Sequence, residues 1–317
     1  MPLDPQADAL LAEMREAGVR PFEELSVAEA RAAAWGYVAL AGEPQEVADV
    51  RTTFIPGPTA DIPIRIYVPE DVNPAHPRGG IVFFHGSGWV IANIEICDAA
   101  ARSLANSTGC VVVSVNYQKA PEHPFPIPFD DCWAATTWVA DNADALGIDV
   151  SRLAVAGDSA GGNLAAAVCL KARDAGAPQI AFQALVYPAL DRNWDTPSAI
   201  ENAEGYGLQR ETMRWFWNHY VPDAADGENP LVSPLRAADL SGLPPAFIAT
   251  AEFDPLRDDG ERYGERLAEA GVPVIVKRYD GMIHGFYWML GALETAQVLH
   301  DDIAEAAVPV LTPVTAA

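Results

Sequence analysis

The tightest constraint on the fold of this chain lies between Arg152 and Lys171. There a short apolar run, Leu153 to Ala156, is followed within a few residues by an Ala- and Leu-rich segment, Asn163 to Lys171. The first reads as a buried strand and the second as a helix. Between them stands Ser159, with Gly157 and Gly161 two residues to either side. Lacking Cβ atoms, those two glycines let a strand turn sharply into a helix while the middle residue is strained outward. Five-residue Gly-x-Ser-x-Gly matches are common by chance, and the strand and helix around this one give it weight.

The rest of the chain fits an α/β architecture. Gly80 to Phe84, Cys110 to Val115, Leu153 to Ala156, Phe182 to Tyr187, Pro245 to Thr250 and Val274 to Tyr279 read as six buried strands. Helical segments intervene, so most of these strands should be parallel. Glu46 to Ile55 and Ile62 to Val68 alternate apolar and polar residues around Pro56, Gly57 and Pro58, which predicts an antiparallel opening pair and eight strands in all. Before them, residues 3–17 and 26–40 carry helical spacing, with Leu10, Leu11 and Met14 on one face of the first. Between Leu190 and Leu235 the pattern breaks into an aromatic insertion containing Trp194, Tyr206, Trp215, Phe216, Trp217 and Tyr220. Aromatic residues at helical spacing are more often ordinary packing than a ligand wall. Yet neither this insertion nor the N-terminal helices have a place in the sheet. The expectation is a single domain over residues 1–317, with cap elements from about 1–45 and 190–235.

Composition narrows the partners. The formal charge of −24 comes from 44 acidic against 20 basic residues, with no basic cluster, which argues against nucleic acid and anionic membranes. The acidic N-terminus lacks the regions of a signal peptide, and no apolar run is long enough for a bilayer, so a cytoplasmic location without membrane insertion is expected. Cys97, Cys110, Cys132 and Cys169 are widely spaced and read as core thiols, neither zinc ligands nor bridges.

A serine hydroxyl is a weak nucleophile and needs a base oriented by a third group. His284, in the Gly-punctuated stretch Asp280 to Phe286, is the candidate base, and Asp254, at the end of the seventh strand, is the candidate acid, with Glu252 and Asp258 as its neighbours and competitors. Both lie at carboxyl ends of strands, where α/β sheets place their sites. Their order, Ser159, Asp254, His284, is that of an α/β-hydrolase triad. For the developing oxyanion, the N–H of Ala160 opens the helix behind Ser159. Small residues after the third strand, in Phe84, His85, Gly86, Ser87, Gly88 and Trp89, supply further backbone donors at Ser87 and Gly88. His85 reads as a brace for this loop, and Ser87 as a poor rival nucleophile, since no helix starts behind it. His76, His123, His219 and His300 read as surface or packing residues. No metal-ligand cluster, phosphate loop or dinucleotide fingerprint is visible, so no cofactor and no metal are expected. Gly157 to Gly162 also imitates the Gly-Asp-Ser-Gly-Gly of chymotrypsin-like proteases, but those are all-β and place His and Asp before Ser.

Taken together, residues 45–310 resemble the bacterial members of the hormone-sensitive lipase family of α/β-hydrolases. His85 to Trp89 is similar to that family's His-Gly-Gly-Gly oxyanion loop, and Gly157 to Gly162 to its Gly-Asp-Ser-Ala-Gly-Gly elbow. Asp254 to Asp258 and His284 to Phe286 are similar to its acid and base segments. Two departures stand out. Ser87 replaces the middle glycine of the loop, and Gln118 and Lys119 replace Arg and Leu in a stretch that usually reads Tyr-Arg-Leu-Ala-Pro-Glu. The resemblance implies an α/β-hydrolase fold with a mostly parallel eight-stranded sheet and a helical cap. It also implies a carboxylic ester hydrolase acting on short to medium acyl esters, with Trp89, Tyr187, Phe216 and Phe286 toward the substrate. A small-molecule ester is the expected partner, and a homodimer is compatible with this reading. Amide or lactone hydrolysis would use the same machinery. Receptors resembling this family bind ligands without hydrolysis but have lost the base, which is present here as His284.

Overall fold

The computed structural model describes residues 2–70 and 78–312. Three helices come first, α1 (Pro5–Glu16), α2 (Val27–Ala33) and α3 (Gly36–Leu40). A hairpin of β1 (Asp49–Ile55) and β2 (Ile62–Val68) follows. Strands then alternate with helices through β3 (Arg78–Phe84), α4 (Asp98–Thr108), β4 (Val111–Val115), α5 (Ile127–Asp141), α6 (Ala143–Leu146), β5 (Ile148–Asp158), α7 (Ala160–Ala175) and β6 (Phe182–Val186). The long connection after β6 carries α8 (Pro197–Glu201) and α9 (Arg210–Tyr220). The chain continues through β7 (Ala246–Phe253), α10 (Arg257–Glu269), β8 (Val274–Ile283) and α11 (Glu294–Leu311).

All eight strands form one sheet in the order β1-β2-β4-β3-β5-β6-β7-β8. The pairs β1–β2 and β2–β4 are antiparallel, and every later pair is parallel. The parallel strands therefore present their carboxyl ends along one edge, with β5 at the centre between β3 and β6. Their apolar runs are buried on both faces, as intervening helices require. The exception is β8, where Ile275 is 54% and Val276 40% exposed. This strand closes the sheet and pairs only with β7, so its predicted burial is incomplete.

Three boundaries differ from the sequence reading for physical reasons. The predicted helix over 26–40 breaks at Trp35, between α2 and the poor helix former Gly36 that opens α3. The centre of β5 is the predicted run, but the strand begins five residues earlier, at Ile148, and takes in the largely polar segment Asp149 to Arg152 that hydrophobicity could not reveal. Lastly, β8 does not stop at Tyr279. It runs through an irregularity at Gly281, whose φ is +75°, and pairs again with Ile283 opposite Phe253. The glycine reads as a strand break, yet it lies in a bulge that shifts the register, from Ala251 opposite Tyr279 to Phe253 opposite Ile283, and lets pairing resume. His76 lies outside the described residues.

The turn at Ser159 is closed by contact between backbones. A Cβ on Gly161 would stand 1.8 Å from the carbonyl oxygen of Phe84 at the end of β3, and one on Gly157 would stand 2.3 Å from the carbonyl of Gly161. Gly176, which ends α7 with φ +76°, has no atom within 4 Å of such a Cβ. Gly161→Ala should therefore cost about 3 kcal/mol or more, because main chain cannot give way as a side chain does. Gly176→Ala should cost only about 1 kcal/mol of left-handed strain. Urea midpoints of the two variants test this, and equal losses would show that the elbow tolerates a methyl group.

Candidate active site

The register of the last two strands builds the first half of the site. Because Phe253 and Ile283 are partners, the next residues, Asp254 and His284, emerge side by side. His284 Nδ1 lies 2.7 Å from Asp254 Oδ2, and His284 Nε2 lies 3.0 Å from Ser159 Oγ. Asp254 is fully buried, and its other oxygen accepts the Leu256 N–H at 2.8 Å. A buried carboxylate at Nδ1 fixes the proton there and leaves Nε2 as an acceptor facing the serine. The neighbouring acids are committed elsewhere: Glu252 accepts the Gly281 N–H at 2.7 Å, and Asp258 accepts the Ser198 N–H at 2.8 Å and pairs with Arg257 at 3.1 Å.

Ser159 itself has φ +54° and ψ −118°, the strained geometry that the flanking glycines permit. It is only 8% exposed. Ala160 is the first residue of α7, so its N–H has no partner within the helix. On the opposite side, the loop after β3 lies against a buried acid: the Gly86 N–H donates to Asp158 Oδ1 at 2.7 Å. Gly86 is required here, since a Cβ would sit 2.2 Å from Asp158 Oδ2. Burial pushes the Asp158 carboxyl up to about 7, with the Gly86 N–H as the leading opposing influence. Gly88 and Trp89 have φ of +53° and +59°, whereas Ser87 is outside the left-handed region. The serine thus replaces a glycine without demanding glycine-only backbone. Among the described residues, the N–H groups of Ser87 and Gly88 have no acceptor within the protein.

His85 braces the loop as expected. It is fully buried, its Nδ1 donates to the Gly86 carbonyl at 3.1 Å, and its ring stacks on Tyr117 at 4.6 Å. Burial, reinforced by the Lys119 charge, holds it well below the usual histidine range, so it stays neutral. His300 is buried and stacked on Tyr287 at 4.2 Å, and His219 meets Trp215 at 4.5 Å on α9, both packing positions. The four cysteines are buried free thiols. Gln118, where the resembled pattern has arginine, donates its N–H to the buried Asp131 at 2.8 Å and its side chain to Thr59 at 2.6 Å.

The four aromatic candidates divide. Tyr187 lies 4.5 Å from the His284 ring and 5.8 Å from Phe286. Phe216 sits directly on Gly88, where a Cβ would come within 2.2 Å of its ring. Trp89 instead stacks on Tyr220 at 4.4 Å and meets Trp217 at 4.3 Å, which ties the loop to α9. Sequence reasoning missed Phe22, whose ring lies 5.8 Å from Phe216, and the roles of Asp158 and Tyr117 around the loop. Asp158 stands inside the elbow motif, but nothing in its spacing says that Gly86 will come to it. A cavity of about 410 Å³ lies elsewhere, between α3, β1, β2 and α4, and no triad residue lines it.

Comparison with known proteins identifies the family. The alpha/beta hydrolase fold family matches residues 81–288. A carboxylesterase of Mycobacterium tuberculosis is 46% identical over 229 residues, 71% of either chain, and an arylesterase of Saccharolobus solfataricus is 39% identical over 94% of this chain and 95% of its own. An ester-hydrolase from the metagenome of Lake Arreo, solved in complex with a derivative of bipyridine phosphonate, superposes with a TM-score of 0.92 at 43% identity, covering 97% of this chain and 98% of that one. The chain belongs to the alpha/beta hydrolase family, in its hormone-sensitive lipase branch. Its activity is that of a carboxylesterase. Among the described residues, no helix is long and apolar enough to cross a membrane.

The raised Asp158 carboxyl makes stability depend on pH in a defined direction. Between the unfolded value near 4 and about 7, the folded chain holds a proton that the unfolded chain has released, so this group's contribution falls as pH rises through that window. Asp158→Asn removes the titration. Comparing urea midpoints of parent and variant at about pH 4.5 and about pH 8 should show the difference moving in the variant's favour at the higher pH. A constant difference would mean that Asp158 ionises alike in both states.

Proposed function

We propose that Ser159, His284 and Asp254 act as nucleophile, general base and orienting acid in a two-step hydrolysis of carboxylic esters. The observation that carries this is the continuous relay from Ser159 Oγ to His284 Nε2 at 3.0 Å and from Nδ1 to the buried Asp254 at 2.7 Å. The serine oxygen attacks the ester carbonyl as its proton passes to Nε2. The N–H groups of Ser87, Gly88 and Ala160 receive the oxyanion, at no cost of reorganisation because main chain already holds them. The imidazolium then protonates the departing alcohol. Water, deprotonated by the same nitrogen, attacks the acyl-enzyme and releases the acid and the free serine. Asp254 keeps the proton on Nδ1 and stabilises the imidazolium.

We infer a short to medium acyl group as substrate. This is supported by the small exposure of Ser159 and by the aromatic residues around it, Tyr187 and Phe286 beside the imidazole and Phe216 on Gly88. Residues 1–45 and 190–235 act as the cap, a reading supported by the packing of Phe22 on Phe216.

Ser159→Ala should reduce turnover by roughly a thousandfold or more, since binding and the oxyanion donors alone leave only residual catalysis. A phosphonate should label the parent and not this variant. Labelling at Ser87, or near-normal turnover of Ser159→Ala, would overturn the assignment. Asp254→Asn should lower kcat by about 10⁴ through the wrong imidazole tautomer, and Glu252→Gln and Asp258→Asn should do much less. A greater loss from either neighbour would move the acid. Phe216→Ala should shift the acyl-length optimum upward in a series of p-nitrophenyl esters, each newly buried methylene adding about 0.8 kcal/mol. An unchanged optimum would place the limiting wall elsewhere.

A further inference from the structure

The loop that leaves β3 is held at three successive residues. Its Gly86 N–H donates to Asp158 at 2.7 Å. Its His85 carbonyl accepts the Tyr117 phenol at 2.7 Å, and the Ser87 hydroxyl lies 2.6 Å from that same phenol oxygen. A phenol carries one proton, and in Tyr117 it is committed to the His85 carbonyl. The Ser87 hydroxyl is therefore the donor to Tyr117. Ser87 is 5% and Tyr117 1% exposed, so water offers neither group a substitute partner. Tyr117 is fixed in turn: its ring stacks on His85 at 4.6 Å, and the Lys119 ammonium, bonded to Asn116 and to the Tyr117 carbonyl at 2.9 Å, stands 5.1 Å from the ring centre.

Among the described residues, the N–H groups of Ser87 and Gly88 are left without an acceptor within the protein. We propose that the Ser87 hydroxyl and Tyr117 are a positioning pair, which sets the peptide planes of the oxyanion loop from behind while the loop's N–H groups face the reacting carbonyl. The inference rests on the oxyanion role given to this loop above. In a loop reading Gly-Gly-Gly the middle residue has no side chain to anchor, so this chain ties down with one serine what the resembled pattern leaves to main chain. The same bond occupies the hydroxyl that would otherwise compete with Ser159 for a phosphonate.

Tyr117→Phe keeps the ring on His85 and removes the phenol. Ser87→Ala keeps the backbone donor and removes the hydroxyl. Each should lower kcat about tenfold with KM within about twofold, and should weaken inhibition by a trifluoromethyl ketone, whose serine adduct is tetrahedral, by a similar factor. The double variant should be no worse than Tyr117→Phe alone, because the two residues act through one bond. Parent-like kcat and ketone affinity in either variant, a change in KM alone, or losses that multiply in the double variant would each overturn the positioning role. If Ser87→Ala fails to fold, Tyr117→Phe carries the test by itself. Ser159→Ala, assayed in parallel, separates the two levels. Turnover surviving in it would overturn the triad reading beneath the proposal, and its loss beside unaffected Ser87 and Tyr117 variants overturns the positioning role alone.

Discussion

A carbonyl oxygen on one strand and a glycine on one helix determine where everything else in this site can be. The Phe84 carbonyl occupies the space of a β-carbon on Gly161, and this approach brings the start of α7 against the end of β3. The loop leaving β3 therefore begins beside the residue that β5 delivers, Ser159. Holding that serine at φ +54° and ψ −118° costs on the order of 1–3 kcal/mol, so its surroundings must over-determine it. They do so from three directions. The Ser159 N–H donates to the Val186 carbonyl at 2.8 Å, its carbonyl accepts the Asn163 N–H at 3.0 Å, and the buried Asn163 amide reaches the carbonyls of Ala189 and Val232 at 2.8 and 2.7 Å. Strain at Ser159 is thus offset by hydrogen bonds to β6 and to the long connection after it.

What the sequence could disclose follows from how local each cause is. The elbow was legible because strand, glycines and helix are contiguous. Asp254 and His284 were legible because both stand at strand ends, and main-chain pairing of β7 with β8 then brings them together with no further instruction. The continuation of β8 to Ile283 was hidden, because a glycine at φ +75° has the same signature in a bulge as in a turn. Asp158, Tyr117 and Phe22 were hidden for another reason: each acts through a partner that the fold alone brings near, 72 residues away for Asp158 and Gly86. Periodicity reports which face of an element is buried, and carries no information about what that face meets.

The same distinction applies to the segments over the site. The N-terminal helices and the insertion after β6 are far apart in sequence, yet Phe22 packs on Phe216, Glu23 accepts the Thr212 hydroxyl, and Arg31 donates to the carbonyls of Val90 and Ala120 at 2.9 and 3.0 Å while pairing with Glu122. Arg31 thereby ties α2 to the chain just beyond the loop that leaves β3. The aromatic ring on Gly88 and the guanidinium behind Val90 make the loop a shared boundary of the sheet, the N-terminal helices and the insertion after β6.

Two buried carboxylates beside one serine raise the question of why they do not compete for the imidazole. Asp254 accepts the Leu256 N–H with one oxygen and meets His284 Nδ1 with the other, so its hydrogen bonds turn the second oxygen to the imidazole. Asp158 takes the Gly86 N–H and lies near the phenols of Tyr37, Tyr187 and Tyr287, all of which burial pushes upward, with Asp158 adding to it. Desolvation raises its own carboxyl to about 7. Near neutrality Asp158 is therefore only partly charged, and the acid in direct contact with the imidazole is Asp254, at 2.7 Å. The two acids are alike in residue type and burial, and what separates them is the group that the fold sets against each, the imidazole for Asp254 and the loop after β3 for Asp158.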